Sequence, residues 1–211
     1  VLDRPNPNDY IDGPILDKKF SSFVGVDPLP ILHGCTVGEL ALMINGEKWL
    51  KKGMQCKLNV IKVEGWNHGQ AYSLQIKPSP NLPNDQAIKL YPSLCLFEGT
   101  GFSVGRGTHF PFQVIGYPDK KFGSFVFTPK PILGMDSNPV QLDNECYGID
   151  LRNEAIQGGF HLTYLLQFYA LSGLKEAFFT HPSFFDKLAG TDELRKQIIA
   201  EKSEQEIRDQ W

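Results

Sequence analysis

The chain has 211 residues, which is enough for one large domain, or one and a half ordinary ones, with a sizeable core. Hydrophobic residues make up 41% and charged residues 21%, a balance typical of ordered rather than disordered proteins. Lys and Arg number 21 against 24 Asp and Glu, so the net charge is −3 and no basic excess is present to neutralise a phosphate backbone. We therefore expect no nucleic-acid partner.

The sequence predicts neither a membrane span nor a metal site. No stretch approaches the roughly 18 to 20 apolar residues that a span needs. The four cysteines are far apart and form no C-x-x-C pair or Cys/His cluster at zinc spacing. Val1 and Leu2 resemble the end of a strand and carry no signal peptide, so we expect that a preceding segment of the same protein is missing from this chain.

The first third of the chain predicts the element order loop, helix, strand. Residues 1–7 form a short apolar run that breaks into a loop rich in Pro and Asn. Thr36 and Glu39 match a capping box, and the apolar spacing after it predicts a helix over 37–50. A strand is predicted over 56–63. This order is typical of the C-terminal part of an α/β domain.

The remaining two thirds predict a different architecture. Three prolines in residues 77–84 exclude a regular helix or central strand there, and we expect a domain boundary near residues 66–76. Strand patterns favour an antiparallel sheet or small barrel, and they occur over 112–117, 122–128 and 146–151. Three helices are predicted near the end of the chain, over 160–172, 183–189 and 192–208, the first two ending at Gly173 and Gly190.

Glu98 is the strongest candidate for a catalytic group. It ends an apolar run and enters a loop with four glycines that also holds Arg106 and His109. Loss of hydration beside Leu96 and Phe97 would raise the pKa of Glu98 towards the range of a general acid, whereas pairing with Arg106 would lower it. The alternative is an internal Glu98–Arg106 ion pair that only holds the loop. The glycines do not match a nucleotide-binding fingerprint.

A second group of polar residues lies nearer the N-terminus. Asp3, Asn6 and Asp12 follow the predicted strand end, where open α/β sheets place their ligands, although such residues are also common turn formers. His33 precedes the capping box and is either a helix-start residue or a ligand contact. Tyr91 can stack on a sugar ring, but an aromatic residue with apolar neighbours is more often part of the core.

Several motifs together resemble a known family. They are Val1–Pro7, Asp12–Asp17, Ser21–Gly25, His33–Leu40, Pro78–Pro83, Cys95–Thr100 and Gly105–Thr108. In this order they resemble the exo-β-N-acetylmuramidase NamZ family, also known as domain of unknown function 1343 and as glycoside hydrolase family 171. The resemblance runs from Val1 to about Arg195.

The resemblance implies a fold and an activity. Residues 1–70 would form the C-terminal part of a Rossmann-like α/β domain, and residues 71–211 a smaller α+β domain with antiparallel or barrel-like β-structure and C-terminal helices, with the active site in the cleft between them. The activity would be hydrolysis of terminal β-1,4-linked N-acetylmuramic acid from the non-reducing ends of peptidoglycan glycan strands. The location would be the cell envelope, either periplasmic or secreted. No cofactor is implied, and family members carry further sequence on both sides of this stretch.

The resemblance also suggests roles for individual residues. Glu98 and Asp12 are the predicted catalytic carboxylates, and Asp12-Gly13-Pro14 stands where many members have Glu-Gly-Pro. Contacts to glycan strands or muropeptide fragments are predicted for Asp3, Arg4, Asn6, His33, Asn81, Tyr91, Arg106 and His109. Arg106 would bind the lactyl carboxylate of muramic acid through a bidentate fork. The alternative function is a non-catalytic peptidoglycan-binding module of the same lineage.

Overall fold

The computed structural model describes residues 1–211. The helices are α1 (Val37–Gly46), α2 (Asp85–Leu94), α3 (Thr163–Ser172), α4 (Pro182–Ala189), α5 (Glu193–Ile199) and α6 (Glu204–Arg208). The strands are β1 (Ile11–Ile15), β2 (Pro30–His33), β3 (Val114–Tyr117), β4 (Phe125–Phe127) and β5 (Cys146–Asp150). None of the helices has the length and apolar character needed to cross a bilayer.

The strands form two small antiparallel sheets. β1 pairs with β2, and their register is irregular between Asp12 and Ile15. In the other sheet β5 lies between β3 and β4, and these three strands fall within the three ranges predicted for the second part of the chain. The fold is therefore a mixture of helix and sheet, as predicted. The Rossmann-like and barrel-like architectures and the division near residue 70 stay predictions.

Helix α1 begins at the predicted capping box. The Thr36 hydroxyl accepts a hydrogen bond from the Glu39 N–H, and the Glu39 carboxylate accepts one from the Thr36 N–H. The helix ends earlier than predicted, because Lys48 adopts a left-handed backbone with φ of 58°. The predicted strand over 56–63 is wrong, since only Ile61 makes a bridge there, in parallel with Leu2.

Two of the three C-terminal helices end where the sequence predicts, whereas the third predicted helix is divided in two. α3 and α4 end at Gly173 and Gly190, whose φ angles of 66° and 73° are left-handed. The single helix predicted over 192–208 is instead two helices, α5 and α6. The chain breaks at Glu201, which has a φ of 56°, and a new capping box at Ser203 begins α6.

A core of 25 buried residues joins α2, the β3–β5 sheet and the C-terminal helices. Phe102, in the glycine loop after Glu98, lies at the centre of its aromatic part, where its ring contacts Phe97, Tyr117, Phe122, Phe168 and Phe178. Because aromatic pairs pack with specific geometry, this cluster gives the glycine loop a rigid base.

Candidate functional site

Glu98 lies in a 3₁₀ turn, Cys95–Gly99, that follows directly after α2. Phe97 on one side of Glu98 is completely buried. On the other side, a Cβ on Gly99 would lie 2.6 Å from the Cβ of Phe185 in α4, so only glycine allows this close packing. The backbone around Glu98 is therefore fixed from both directions, while its side chain keeps 20% of its surface exposed.

Arg106 joins Glu98 to a second carboxylate. Its Nη1 donates to Glu98 Oε1 at 2.8 Å, and its Nε donates to Asp136 Oδ2 at 2.7 Å. The ion pair considered from the sequence is therefore present, and Asp136 extends it into a Glu98–Arg106–Asp136 triad. Arg106 Nη2 makes no hydrogen bond within the protein, so this nitrogen remains for the predicted contact with a substrate anion.

Burial dominates the electrostatics of the triad. Burial raises the pKa of Glu98, Asp136 adds to the rise, and the opposing effect of Arg106 does not cancel them. Glu98 Oε2 accepts no hydrogen bond from the protein and is not among the enclosed polar atoms, so it faces solvent. A carboxyl group with a raised pKa and one free oxygen can give a proton to a ligand.

Two other predicted residues border the triad. Burial raises the pKa of Tyr91 to about 12, and Cys95 and Glu98 add to the rise. Asn81 Nδ2 donates to the backbone oxygen of Met135, next to Asp136, at 3.3 Å. The Oδ1 atom of Asn81 is buried without a partner. It is an acceptor that the protein leaves unused.

A cavity of about 500 Å³ opens between β2, α2 and the end of α4. The predicted residues Asn6, His33 and Tyr91 line it. Burial lowers the pKa of His33, and its Nδ1 accepts a hydrogen bond from the Cys35 N–H at 3.1 Å. His33 is therefore neutral at pH 7 and carries its proton on Nε2. No member of the triad lines the cavity, but the lining residue Cys95 begins the turn that contains Glu98.

Asp12 lies in β1 and is occupied by structural contacts. Its carboxylate accepts from Arg208 Nη2 at 2.9 and 2.8 Å, from the Gly13 N–H at 2.8 Å and from the Phe160 N–H at 3.0 Å. It does not line the cavity. A catalytic role for Asp12 stays a prediction, and it would require exchange of at least one of these bonds.

The other predicted contact residues lie away from the cavity lining. Asp3 holds the start of α1, because its carboxylate accepts from the Thr36 hydroxyl at 3.1 Å and from the Gly38 N–H at 2.7 Å. Arg4 and His109 are exposed, and their side chains make no hydrogen bond. Their contacts with a glycan therefore stay predictions.

His68 was not predicted and forms a clip between two carboxylates. Its Nδ1 lies 2.6 Å from Asp9 Oδ1, its Nε2 lies 2.9 Å from Glu39 Oε1, and the Gly69 N–H donates to Asp9 Oδ2 at 2.6 Å. These bonds hold the loop around Trp66 against the start of α1. No group of three or more His, Cys, Asp or Glu side chains is arranged to hold a metal ion.

The His68 clip predicts a pH-dependent contribution to stability. Hydrogen bonds to Glu39 and then Asp9 raise the pKa of His68 from 6.5 to about 9. Because the folded pKa is the higher one, the contribution is complete below the unfolded value and is lost as the pH rises through about 9. In urea unfolding, His68→Ala should therefore be less stable than wild type at about pH 6 and nearly equal to it at about pH 10.

The matched control for the clip is His109→Ala, because His109 is exposed and makes no side-chain hydrogen bond. This variant should match wild type at both pH values. An NMR titration that places the His68 pKa near its ordinary value would contradict the clip.

Two family models match successive parts of the chain. The model described as exo-beta-N-acetylmuramidase NamZ, N-terminal, matches residues 1–86, and the corresponding C-terminal model matches residues 89–211. The chain therefore belongs to the NamZ exo-β-N-acetylmuramidase family, which confirms the resemblance of its sequence motifs.

Individual relatives agree with this membership. The peptidoglycan beta-N-acetylmuramidase NamZ of Bacillus subtilis (strain 168) is 42% identical over 124 residues, which are 56% of this chain and 29% of the relative. Two crystal structures of DUF1343 family proteins from Bacteroides fragilis NCTC 9343 cover the whole chain, with TM-scores of 0.93 and 0.79 at 49% and 26% identity. The chain spans 61% of each of these two structures, so it covers less than two thirds of its relatives.

Proposed function

We propose that the chain acts in a peptidoglycan exo-β-N-acetylmuramidase of the cell envelope, periplasmic or secreted, which releases terminal β-1,4-linked N-acetylmuramic acid from the non-reducing ends of glycan strands. The observation that carries this proposal is Glu98, a largely buried carboxyl group with a raised pKa and a free oxygen, in the turn that begins at the cavity-lining residue Cys95. The activity in the name of the Bacillus subtilis relative supports the choice of substrate.

Glu98 takes the role of general acid in this proposal. Hydrolysis of a glycosidic bond requires protonation of the leaving oxygen, and a carboxyl group with a raised pKa holds its proton closer to neutral pH. Arg106 fixes Oε1, so the free Oε2 is the atom that meets the substrate. Arg106 is then a positioning residue, in addition to its predicted contact with the lactyl carboxylate.

The cavity supplies the sugar-binding groups. His33 contributes a neutral imidazole and Tyr91 an aromatic ring with a hydroxyl group. Asn6 contributes an amide that is held in place by the Cys35 oxygen and the Asn8 N–H. A cavity of about 500 Å³ is within the usual size of small-molecule sites. Such a mixture of apolar surface and a few fixed polar groups suits a pyranose ring, which has apolar faces and a polar edge.

The second candidate function is a glycan-binding module without catalysis. It is favoured because most glycosidases use a pair of carboxyl groups, and the two other candidate carboxylates are held in ion pairs. Asp12 is engaged by Arg208, and Asp136 is engaged by Arg106. Glu98 is then the one predicted catalytic group with a free oxygen.

The test compares turnover with binding. The chain is incubated with a chromogenic β-N-acetylmuramide and with oligosaccharides that end in N-acetylmuramic acid, and calorimetry measures binding of the same oligosaccharides. Release of N-acetylmuramic acid supports the enzyme. Binding without release supports the module, and absence of both rejects the two functions together.

The triad predicts opposite pKa shifts in two variants. Arg106→Gln removes the cation beside Glu98 and should raise the Glu98 pKa, whereas Asp136→Asn removes a negative charge and should lower it. Titration of the ¹³C-labelled Glu98 carboxyl by NMR measures both. Asp143→Asn, at an exposed carboxylate paired with Lys130, is the control that should change nothing. Equal Glu98 pKa values in all variants would contradict the electrostatic coupling.

A further inference from the structure

The loop between β1 and β2 carries a tight turn at Ser22–Gly25. The Ser22 N–H donates to the Gly25 oxygen at 2.7 Å, and the Gly25 N–H donates to the Ser22 oxygen at 3.2 Å. The hydroxyl of Ser21 donates to the Val26 oxygen at 3.0 Å and ties the two sides of the turn together. The turn is therefore a defined projection with its own hydrogen bonds.

This turn presents apolar side chains to solvent. Phe23 at its tip is completely exposed, and Val24 and Val26 are also exposed. An isolated exposed apolar residue is common on a protein surface, but three on one hydrogen-bonded turn form a contiguous patch.

The patch continues into the cavity. Val24, Gly25 and Val26 line the same 500 Å³ cavity as Asn6 and His33. Phe23 does not itself line the cavity, but it directly precedes the lining residue Val24 in the chain. A ligand that fills the cavity and extends past Val24 comes within reach of this exposed ring.

We infer that Phe23 is a stacking platform for a pyranose ring of a glycan whose terminal sugar occupies the cavity. The inference rests on the proposed function for the nature of the ligand. A pyranose ring has apolar C–H faces that suit an aromatic ring, and its hydroxyl edge suits amide and imidazole groups. The flat ring and the polar groups of the cavity wall together fit a sugar chain better than a purely apolar partner, which would cover the His33 Nε2–H without giving it an acceptor.

The platform predicts dependence on ring shape and on glycan length. Calorimetry with the whole chain compares a disaccharide and a tetrasaccharide that both end in N-acetylmuramic acid. Phe23→Ala should weaken binding of the tetrasaccharide by about tenfold, which is ~1.4 kcal/mol. Phe23→Tyr keeps a flat ring, so its affinity for the tetrasaccharide should stay within about twofold of wild type. Phe23→Leu is apolar but has no ring, so its affinity should fall nearly as far as that of Phe23→Ala. The disaccharide should lose less than the tetrasaccharide.

Ile76→Ala provides the matched control, because Ile76 is an exposed apolar residue that does not line the cavity. It should bind both oligosaccharides as wild type does, and thermal unfolding should show every variant folded, since Phe23 is not part of the core. Unchanged affinity of Phe23→Ala, with wild type binding normally, overturns the platform but not the proposed function. Absence of binding by wild type overturns both. Loss of self-association or of lipid-vesicle binding in Phe23→Ala, with unchanged glycan affinity, assigns the ring to a different partner and also overturns the platform.

Discussion

Replacement of Glu98 by Gln should lower kcat for release of terminal N-acetylmuramic acid by at least ~100-fold, which is the scale of general acid–base catalysis. Glutamine keeps the size of the side chain and can still accept from Arg106 Nη1, so the turn and the ion triad should keep their geometry. It has no titratable proton to give to the leaving oxygen. The variant should therefore fold and bind glycans normally, and only kcat should fall.

The ~100-fold loss is measured by steady-state kinetics on an oligosaccharide that ends in N-acetylmuramic acid, because its sugar leaving group needs protonation. Glu64→Gln is the control, because Glu64 is an exposed carboxylate without an ion pair and should be kinetically silent. A further signature is the leaving group. A substrate with an acidic phenol leaving group needs little protonation, so Glu98→Gln should be less impaired on it than on a natural disaccharide. Near-normal turnover of both substrates would remove Glu98 from the mechanism.

The sequence was most informative where interacting residues are close together along the chain. Thr36 and Glu39 form the predicted capping box, and Glu98 and Arg106 lie in one loop, so their pairing could be proposed from spacing. Which effect controls the pKa of Glu98 could not be proposed in the same way. It depends on burial by α4 and on Asp136, and both belong to later parts of the chain.

The elements missed by the sequence analysis have weak local signals. β1 contains glycine and proline, which are both depleted in strands, and it is stabilised by pairing with β2 across a long loop. α2 begins directly after a proline-rich stretch and contains Pro92. Asn84 nevertheless caps this helix through the Ala87 N–H, and its buried face packs in the core. Tertiary packing overrides local propensity in both elements.

The contact between Asp12 and Arg208 depends entirely on tertiary structure, because the two residues are separated by 196 positions along the chain. Arg208→Ala should lower the free energy of unfolding by about 2 to 4 kcal/mol. The substitution removes two hydrogen bonds to a largely buried carboxylate and a third, at 2.8 Å, to the Phe160 backbone oxygen. Urea unfolding at neutral pH measures the change. Lys130→Ala is the control, since its pair with Asp143 is exposed, and it should change the stability by less than about 1 kcal/mol.

The same pair of residues decides the role of Asp12. If Asp12 only joins β1 to α6, each of the two single variants, Asp12→Asn and Arg208→Ala, should lower the stability. Neither should change kcat at temperatures where both variants are folded. If Asp12 is the second catalytic carboxylate, Asp12→Asn alone should lower kcat by ~100-fold or more under those conditions. Arg208→Ala would then keep turnover, because it frees the carboxylate without removing it. The comparison separates a fold contact from a catalytic group, since only the second role requires the charge of Asp12 itself.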